Sequence, residues 1–296
     1  MSNIFETSIR NYDYEIVCGG LQNKTYPRKY EISTNASVKN QEFNGKEIWA
    51  CAACSIATVA EHIWGKEFSE GFAYAKFRNG YNKKGLYLKV AMDMWREIGI
   101  VPLADFGSLE EMPTIKTLVE KFPDLVDKAK KYRIGGYAEI NYADKNKKDL
   151  AIKDALTRNN IGLVACSETY WGSNHAFVIT GWNDDTNSYI YQNSYGTDFG
   201  NDGKDEIPKS HVDAVYAVFA EDFKLPFTDV EVDRWSAKHI QNLYMSGLVN
   251  GVTPTTIEPD RYISREEVFA IIDRLMSKVD SQFTNVYKQI NERLVK

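Results

Sequence analysis

The sequence of 296 residues lacks any long apolar run. A helix that spans a membrane needs about 20 consecutive apolar residues, and no stretch of this sequence approaches that length. The first residues also lack a basic start followed by an apolar segment. We therefore expect neither a membrane span nor a signal peptide in this sequence.

Cysteine and histidine are scarce, with four residues of each. The cysteines stand at positions 18, 51, 54 and 166, which is too few and too scattered for a framework of disulfides. A zinc site would need a second cysteine pair or a spaced histidine pair, and the sequence has neither. We expect no metal site, and no motif implies an organic cofactor.

Long basic runs are also missing. The net charge of -5 and the pI near 5.6 argue against nucleic acid as the main partner. The hydrophobic share of 43% and the charged share of 26% are typical of a folded globular protein. These values exclude a disordered or nucleic-acid-binding chain and leave enzymes and binding modules open.

The order of sequence patterns predicts an α+β fold with two lobes. Apolar patterns predict helices over 50–64, 86–98 and about 113–131. After position 133 short β-rich runs follow, interrupted by one helix that ends near Asn160. Pro226 marks a boundary, so we expect one domain over 1–222 and a small helical domain over 223–296.

The stretch IWACAACSIATVAEHI places Cys51 and Cys54 three residues apart at the start of a helix. A redox pair of this spacing follows a strand in a βαβ unit, whereas the preceding residues NGKEIWA indicate a turn. The remaining interpretation is a nucleophile with a second cysteine beside it. Such a thiol needs a base and a group that orients the base.

His175 and Asn193 supply those two residue types, in the order Cys, His, Asn along the chain. His175 opens an apolar β run, and Asn193 ends another where a glycine-rich turn begins. An asparagine oxygen can fix the tautomer and orientation of an imidazole. Each residue alone has an ordinary structural explanation, but the three together indicate nucleophilic catalysis.

These segments resemble the papain family of cysteine peptidases. The block Asn193-Ser194-Tyr195-Gly196, with Phe199-Gly200 and Gly203 after it, is similar to the family's Asn-Ser-Trp-Gly block. The run SVKNQ resembles the segment that ends in the glutamine of the oxyanion site, here Gln41. The resemblance implies that Gly85 contacts the substrate backbone, that Tyr195 borders the substrate, and that the substrate is a peptide or protein.

The sequence departs from the family pattern before the nucleophile. Gln41 lies ten residues before Cys51 or thirteen before Cys54, against six in the family. The extra length contains Asn44-Gly45, a strong turn signal, so we expect a loop that restores the geometry.

Two registers are open at the cysteine pair. In one, Cys54 is the nucleophile and Cys51 belongs to a disulfide, as the family motif implies. In the other, Cys51 is the nucleophile, and Ala53, Ser55 and Glu61 match family positions downstream. We favour Cys51, because the first turn of a helix stabilises a thiolate and offers an N–H group to an oxyanion.

Residues 227–275 resemble a surface-layer homology (SLH) motif. The resemblance rests on Phe227, Asp229, Trp235, Gly247, Gly251 and the ISREE run with Arg265, among other positions. Ser264 and Glu267 are also spaced as a capping box. The resemblance implies that Arg265 binds an acidic secondary cell-wall polysaccharide, for which a guanidinium is well suited.

Together these resemblances predict a cysteine endopeptidase that acts at a bacterial cell surface. Two alternatives stay open: a catalytically inactive papain fold that binds the cell wall, and an enzyme that cuts peptidoglycan peptides. The resembled SLH family carries three units, whereas this chain has one unit of about 50 residues, which is marginal alone. We therefore expect the unit to be paired, either in a homotrimer or within the chain.

Overall fold

A computed structural model describes residues 12–18, 20–21, 25–43, 46–77, 85–109, 124–220, 227–231, 234–245 and 247–294. The chain divides into two compact units, one of residues 21–223 and one of residues 1–20 with 224–296. In chain order the elements are β1 (Tyr12–Asp13), α1 (Tyr14–Val17), β2 (Lys29–Glu31), β3 (Glu42–Phe43), β4 (Lys46–Glu47), α2 (Cys51–Trp64), α3 (Glu70–Phe77), α4 (Leu88–Glu97), α5 (Leu103–Phe106), α6 (Asp124–Ala129), β5 (Gly136–Glu139), α7 (Lys145–Asn159), β6 (Leu163–Ser167), β7 (His175–Asn183), β8 (Ser188–Gln192), β9 (Lys204–Pro208), β10 (Ala214–Phe219), α8 (Ala237–Met245) and α9 (Arg265–Leu294).

Helix α2 is the centre of the helical half of the 21–223 unit. Its alanine-rich sequence lets neighbouring elements approach closely, and every side chain from Ala52 to His62 is buried. The helix ends at Gly65, whose φ of 64° is left-handed and whose N–H donates to the Glu61 carbonyl. Helices α3 and α4 pack against α2 on one side and strand β7 packs on the other. The nucleophile candidates are therefore carried by the most buried helix that the structure describes.

The β half of this unit is an antiparallel sheet in the order β5-β10-β6-β7-β8-β9, with β2 also paired to β7. Val178 in β7 lies opposite Gln192 in β8. Since the two strands run in opposite directions, the start of β7 and the end of β8 meet at one edge of the sheet. His175 opens β7 and Asn193 directly follows β8, so the strand register brings both to that edge.

Gly181 allows β2 to approach β7. A Cβ atom at this position would lie 2.2 Å from the carbonyl oxygen of Tyr30. Only glycine fits where two backbones come this close. The β7–β8 register also shifts between Ile179 and Gly181, which bends the sheet at this point.

The α+β prediction is confirmed. The helices expected over 50–64 and 86–98 are α2 and α4, and the helix expected over about 113–131 is described only from Asp124 on, because residues 110–123 lie outside the described part. Helix α3 and strand β9 were not predicted. Helix α3 has a weak periodic pattern of small and aromatic residues, and β9 is a polar edge strand that ends in Pro208.

The second unit contains α8 and the long helix α9. Helix α9 runs without interruption from Arg265 to Leu294. None of the described helices combines the length and the apolar character that crossing a membrane requires.

Candidate active site

Cys51 is the first residue of α2, at the same edge of the sheet as His175 and Asn193. The backbone N–H of Ala176, the residue after His175, faces the Cys51 sulfur. The sulfur also lies over the first-turn N–H groups of its own helix, where the helix dipole favours negative charge. The predicted Cys51 and His175 therefore lie together, one on each half of the unit.

His175 and Asn193 are joined by a hydrogen bond of 2.7 Å between Nε2 and Oδ1. Because the amide oxygen only accepts, Nε2 carries the proton and Nδ1 of a neutral ring keeps its lone pair. The Asn193 oxygen is itself fixed by the backbone N–H of Ser194 at 2.8 Å. This arrangement provides a base whose tautomer and orientation are both set.

Two aromatic rings hold the His175 imidazole. Tyr195 stacks on it with a centroid distance of 5.0 Å and an interplanar angle of 6°, and Trp171 meets it at 4.7 Å and 68°. The Tyr195 hydroxyl lies 3.5 Å from Nδ1. Tyr195 was predicted to border the substrate, and the structure places it against the base. Trp171 was not predicted, because nothing in its local sequence distinguishes it from an ordinary loop tryptophan.

Gln41 is fully buried beside these residues. Its Oε1 accepts a hydrogen bond from the Ser194 hydroxyl at 2.8 Å, and its backbone N–H donates to the Ser194 carbonyl at 2.9 Å. Its Nε2 donates to Glu47 Oε1 at 2.6 Å. The extra residues before the nucleophile form the β3–β4 hairpin, and its turn, Asn44-Gly45, lies outside the described residues.

Glu47 is a site residue that sequence reasoning missed. It lies in the insertion, where the resemblance offers no matching position, and a lone glutamate in a hairpin has no signature. Besides bonding Gln41, its charge raises the pKa of the Cys51 thiol and that of the Tyr195 hydroxyl. A carboxylate therefore lies within electrostatic range of both the nucleophile and the residue stacked on the base.

Burial has the largest effect on the pKa of both Cys51 and His175. It raises the pKa of Cys51, and the Glu47 charge adds to this, while the N–H groups of Ala176 and Ala52 act in the opposite direction. Burial also lowers the pKa of His175, against the effect of its hydrogen bond to Asn193. Both shifts therefore favour the uncharged form of the group concerned.

Cys54 lies one turn inside α2 and is 1% exposed. Burial raises the pKa of its thiol well above the usual value, and the charge of Glu70 adds to this. All four cysteines are free, so Cys51 is not held in a disulfide. Of the two thiols, Cys51 is the one that is partly accessible and adjacent to His175.

The small second unit has a compact local structure of its own. Asp229 accepts hydrogen bonds from the backbone N–H groups of Ile257 and Glu258 at 3.1 and 2.7 Å. The Ser264 hydroxyl accepts from the Glu267 N–H at 3.1 Å, and the Glu267 carboxylate accepts from the Ser264 N–H at 2.7 Å, which is the capping box. Arg265 follows it as the first residue of α9 and is exposed.

Comparison with solved structures identifies the fold of the larger unit. Xylellain, a cysteine protease from Xylella fastidiosa, matches with a TM-score of 0.56 and 16% identity over 72% of this chain and 92% of that chain. Digestive procathepsin L2 proteinase from Tenebrio molitor larval midgut matches with a TM-score of 0.51 and 16% identity over 68% of this chain and 71% of that chain. The fold is that of the papain-like cysteine proteases.

Residues 226–269 match the S-layer homology domain. A search of curated protein sequences finds no significant match to the chain. The combination predicted from the sequence, a papain-like fold followed by one SLH motif, is confirmed. Within the SLH segment, a Cβ atom at Gly251 would lie 2.6 Å from the Phe227 ring, which explains the glycine that the motif carries there.

In the papain-like unit, Gly85 lies beside Trp49, two residues before Cys51. A Cβ atom at Gly85 would lie 3.7 Å from the Trp49 Cβ, and the backbone φ of Gly85 is 91°. Trp49 itself has a left-handed φ of 58° and is 53% exposed. A large aromatic residue in this conformation is strained, and such strain is concentrated at functional sites. Gly85 and Trp49 thus contact each other close in sequence to Cys51, and the sequence had indicated only the glycine.

Proposed function

We propose that residues 21–223 form a cysteine peptidase in which Cys51 is the nucleophile, His175 the base and Asn193 the residue that orients the base. The observation that carries this proposal is the 2.7 Å hydrogen bond between His175 Nε2 and Asn193 Oδ1, next to a thiol at a helix N-terminus. In a buried pair of this kind Nε2 carries the proton, so the lone pair of Nδ1 can take a proton from the thiol.

The reaction follows from these roles. His175 Nδ1 takes the Cys51 proton as the sulfur attacks the peptide carbonyl, and the oxyanion lies between the Cys51 N–H and the Gln41 amide. The imidazolium then gives its proton to the leaving amine as the C–N bond breaks. Water hydrolyses the thioester, which releases the carboxylic acid and restores the thiol. The chemistry requires no metal or organic cofactor.

Labelling with an epoxide or iodoacetamide probe at neutral pH, with the modified cysteine mapped by mass spectrometry, tests the nucleophile. We expect the label on Cys51, and we expect Cys51→Ala to abolish both labelling and the cleavage of a quenched fluorescent peptide library. Cys54→Ala is the matched control, because it removes a thiol one turn away on the same helix and should keep most of both. A label on Cys54, with an inactive Cys54→Ala variant, would assign the nucleophile to Cys54 instead.

One observation favours a second candidate, a catalytically inactive papain fold that serves as a binding scaffold. Glu47 accepts a hydrogen bond from the Gln41 amide at 2.6 Å. Burial raises the pKa of Cys51 most, and the charge of Glu47 raises it further. Both effects weaken catalysis if nothing offsets them. A Cys51 thiol that reacts with the probe no faster than free cysteine would favour this scaffold function.

We also propose that the SLH motif binds an acidic secondary cell-wall polysaccharide and so holds the enzyme at a bacterial cell surface. Arg265 is exposed at the start of α9, directly after the Ser264–Glu267 cap, and its guanidinium can pair with carboxylate or phosphate groups.

Sedimentation of the full chain with purified cell walls tests this binding. Arg265→Ala should lose most of it and Arg265→Lys should keep only part, because lysine lacks the planar fork of donors. Arg28→Ala removes an exposed arginine from the other unit and serves as the control for net charge. Equal binding by all four proteins would exclude a role for Arg265.

A further inference from the structure

The β3–β4 hairpin lies between the two groups that the proposed oxyanion site needs. Gln41 immediately precedes the hairpin, and Cys51 is the fourth residue after it. Glu47, the last residue of β4, turns its carboxylate toward Gln41 and accepts a hydrogen bond from Nε2 at 2.6 Å. An insertion in the chain thus carries a carboxylate directly to the amide that would bind the substrate oxygen.

Glu47 carries its charge at an exposed position of the hairpin and has no ion pair with any side chain that the structure describes. Glu42 lies directly opposite Glu47 in the hairpin register, so two acidic residues share one face. Among the side chains that the structure describes, no lysine or arginine forms an ion pair with either glutamate. Like charges at opposed positions destabilise a hairpin. The pair is therefore poorly explained by the stability of the hairpin itself.

A carboxylate at this position opposes the proposed reaction of a neutral substrate. The tetrahedral intermediate carries its negative charge on the oxygen that faces the Gln41 amide, and that amide already donates to Glu47. Two negative charges would then meet across one donor; Gln41 is buried but Glu47 is exposed, so water screens their repulsion only in part. A positive charge on the substrate would remove this repulsion and draw Glu47 away from the amide.

We infer that Glu47 is a specificity-determining residue that selects substrates with an ammonium or guanidinium group close to the scissile carbonyl. The inference rests on the peptidase function proposed above. Two sources share this chemistry, a basic side chain on the residue whose carbonyl is attacked and a free α-amino group on that residue. Glu42, on the same face, extends the negative surface toward such a group.

Peptide cleavage measures the selectivity. We compare kcat/KM for substrates that differ only in the residue before the scissile bond. Arginine is compared with the uncharged citrulline and lysine with the uncharged norleucine. Each substrate is prepared with a free and with an acetylated α-amine. The full chain should prefer the cationic member by about tenfold, the size expected for one partly screened charge pair. Comparing free with acetylated α-amines, and charged with uncharged side chains, shows which of the two cations Glu47 selects.

Glu47→Gln keeps a hydrogen-bond acceptor for Gln41 and removes only the charge, so the hairpin should be preserved. This variant should cleave the neutral substrates faster than the wild-type protein and lose most of the tenfold preference. Glu67→Gln removes one exposed carboxylate elsewhere on the unit and should keep the preference. An unchanged ratio in Glu47→Gln, or no preference in the wild-type protein, would overturn the inference.

Charged thiol reagents separate this inference from the peptidase function. A cationic alkylthiosulfonate should modify Cys51 about tenfold faster than an anionic one of similar size, and Glu47→Gln should largely abolish the difference. Mapping by mass spectrometry restricts the measurement to Cys51. If the reagents show the difference but no peptide is cleaved, the peptidase proposal fails while the charge selection of Glu47 stands. Equal rates for both reagents in the wild-type protein overturn the selection whatever the activity.

Discussion

Replacing Lys39 by methionine would leave two buried carboxylates without their cation. Lys39 is 5% exposed, and its Nζ lies 2.6 Å from Glu61 Oε1 and 3.6 Å from Glu70 Oε2. Glu61 keeps other donors, the N–H groups of Ser37 and Phe68. Glu70 Oε2 has no hydrogen bond to any residue that the structure describes. Removing one partner of a buried ion pair costs about 3–5 kcal/mol, because the remaining charge stays desolvated.

The loss of stability in Lys39→Met should depend on pH, and the pKa of Glu70 determines whether it grows or shrinks as the pH rises. Burial raises the pKa of Glu70 above its usual value, and Lys39 acts against that rise. Without Lys39 the folded-state pKa of Glu70 rises further. A carboxyl whose pKa is higher in the folded than in the unfolded state favours folding at low pH, and this contribution is lost as the pH rises through the folded pKa. The deficit of Lys39→Met should therefore be larger at pH 7.5 than at pH 5.

Urea unfolding followed by tryptophan fluorescence measures the loss of stability at the two pH values. Five of the six tryptophans lie between residues 49 and 182, so the signal reports on the papain-like unit. Lys128→Met is the matched control. It removes a lysine whose ion pair with Asp105 is 2.5 Å long but half-exposed, and it should cost less than about 1 kcal/mol. If Lys39→Met unfolds at the same urea concentration as Lys128→Met, the buried cluster does not stabilise the protein as argued.

Four further outcomes follow from the structure. His175→Ala should be as inactive in peptide cleavage as Cys51→Ala, and Asn193→Ala should retain more activity, because it loses orientation of the base but no proton acceptor; near-wild-type rates for both would exclude the proposed mechanism. Glu47→Gln should lower the pH at which Cys51 is alkylated by iodoacetamide, since it removes a charge that raises the thiol pKa, and an unchanged pH profile would contradict this. Gly181→Ala should destabilise the papain-like unit by roughly 2 kcal/mol or more in the same urea assay, because its Cβ would lie 2.2 Å from the Tyr30 carbonyl oxygen. The SLH unit should be paired either between chains or within one: a trimer in light scattering that a truncation at Leu225 dissolves would show pairing between chains, and monomers in both cases would leave pairing within the chain.

The sequence predicted the parts of the site that have a strong local pattern. The alanine-rich run after Cys51, the apolar run after His175 and the Asn193 block each identify an element and its end. Antiparallel pairing of β7 and β8 then brings His175 and Asn193 together, which follows from strand order once the strands are known. The SLH segment was predicted from the sequence for the same reason, because its glycines and its capping box are residue types that specific backbone conformations require.

What the sequence could not predict depends on tertiary contacts without a pattern. Glu47 reaches Gln41 only because the hairpin folds back on itself, and no spacing rule describes an insertion. The edge-on contact between Trp171 and His175 depends on a loop whose path is set by packing. The strained backbone of Trp49 is likewise a consequence of the surrounding structure.

The ring stacked on His175 also changes what happens when the imidazole gains its proton. The face of a tyrosine ring attracts a cation within about 6 Å, and Tyr195 lies parallel to His175 with a centroid distance of 5.0 Å. Burial disfavours the imidazolium. The cation–π attraction opposes this effect, but only once the imidazole carries its positive charge. Under the mechanism proposed above, Tyr195 would stabilise the imidazolium formed after the thiol has lost its proton more than it stabilises the resting imidazole, and would so contribute to the rate.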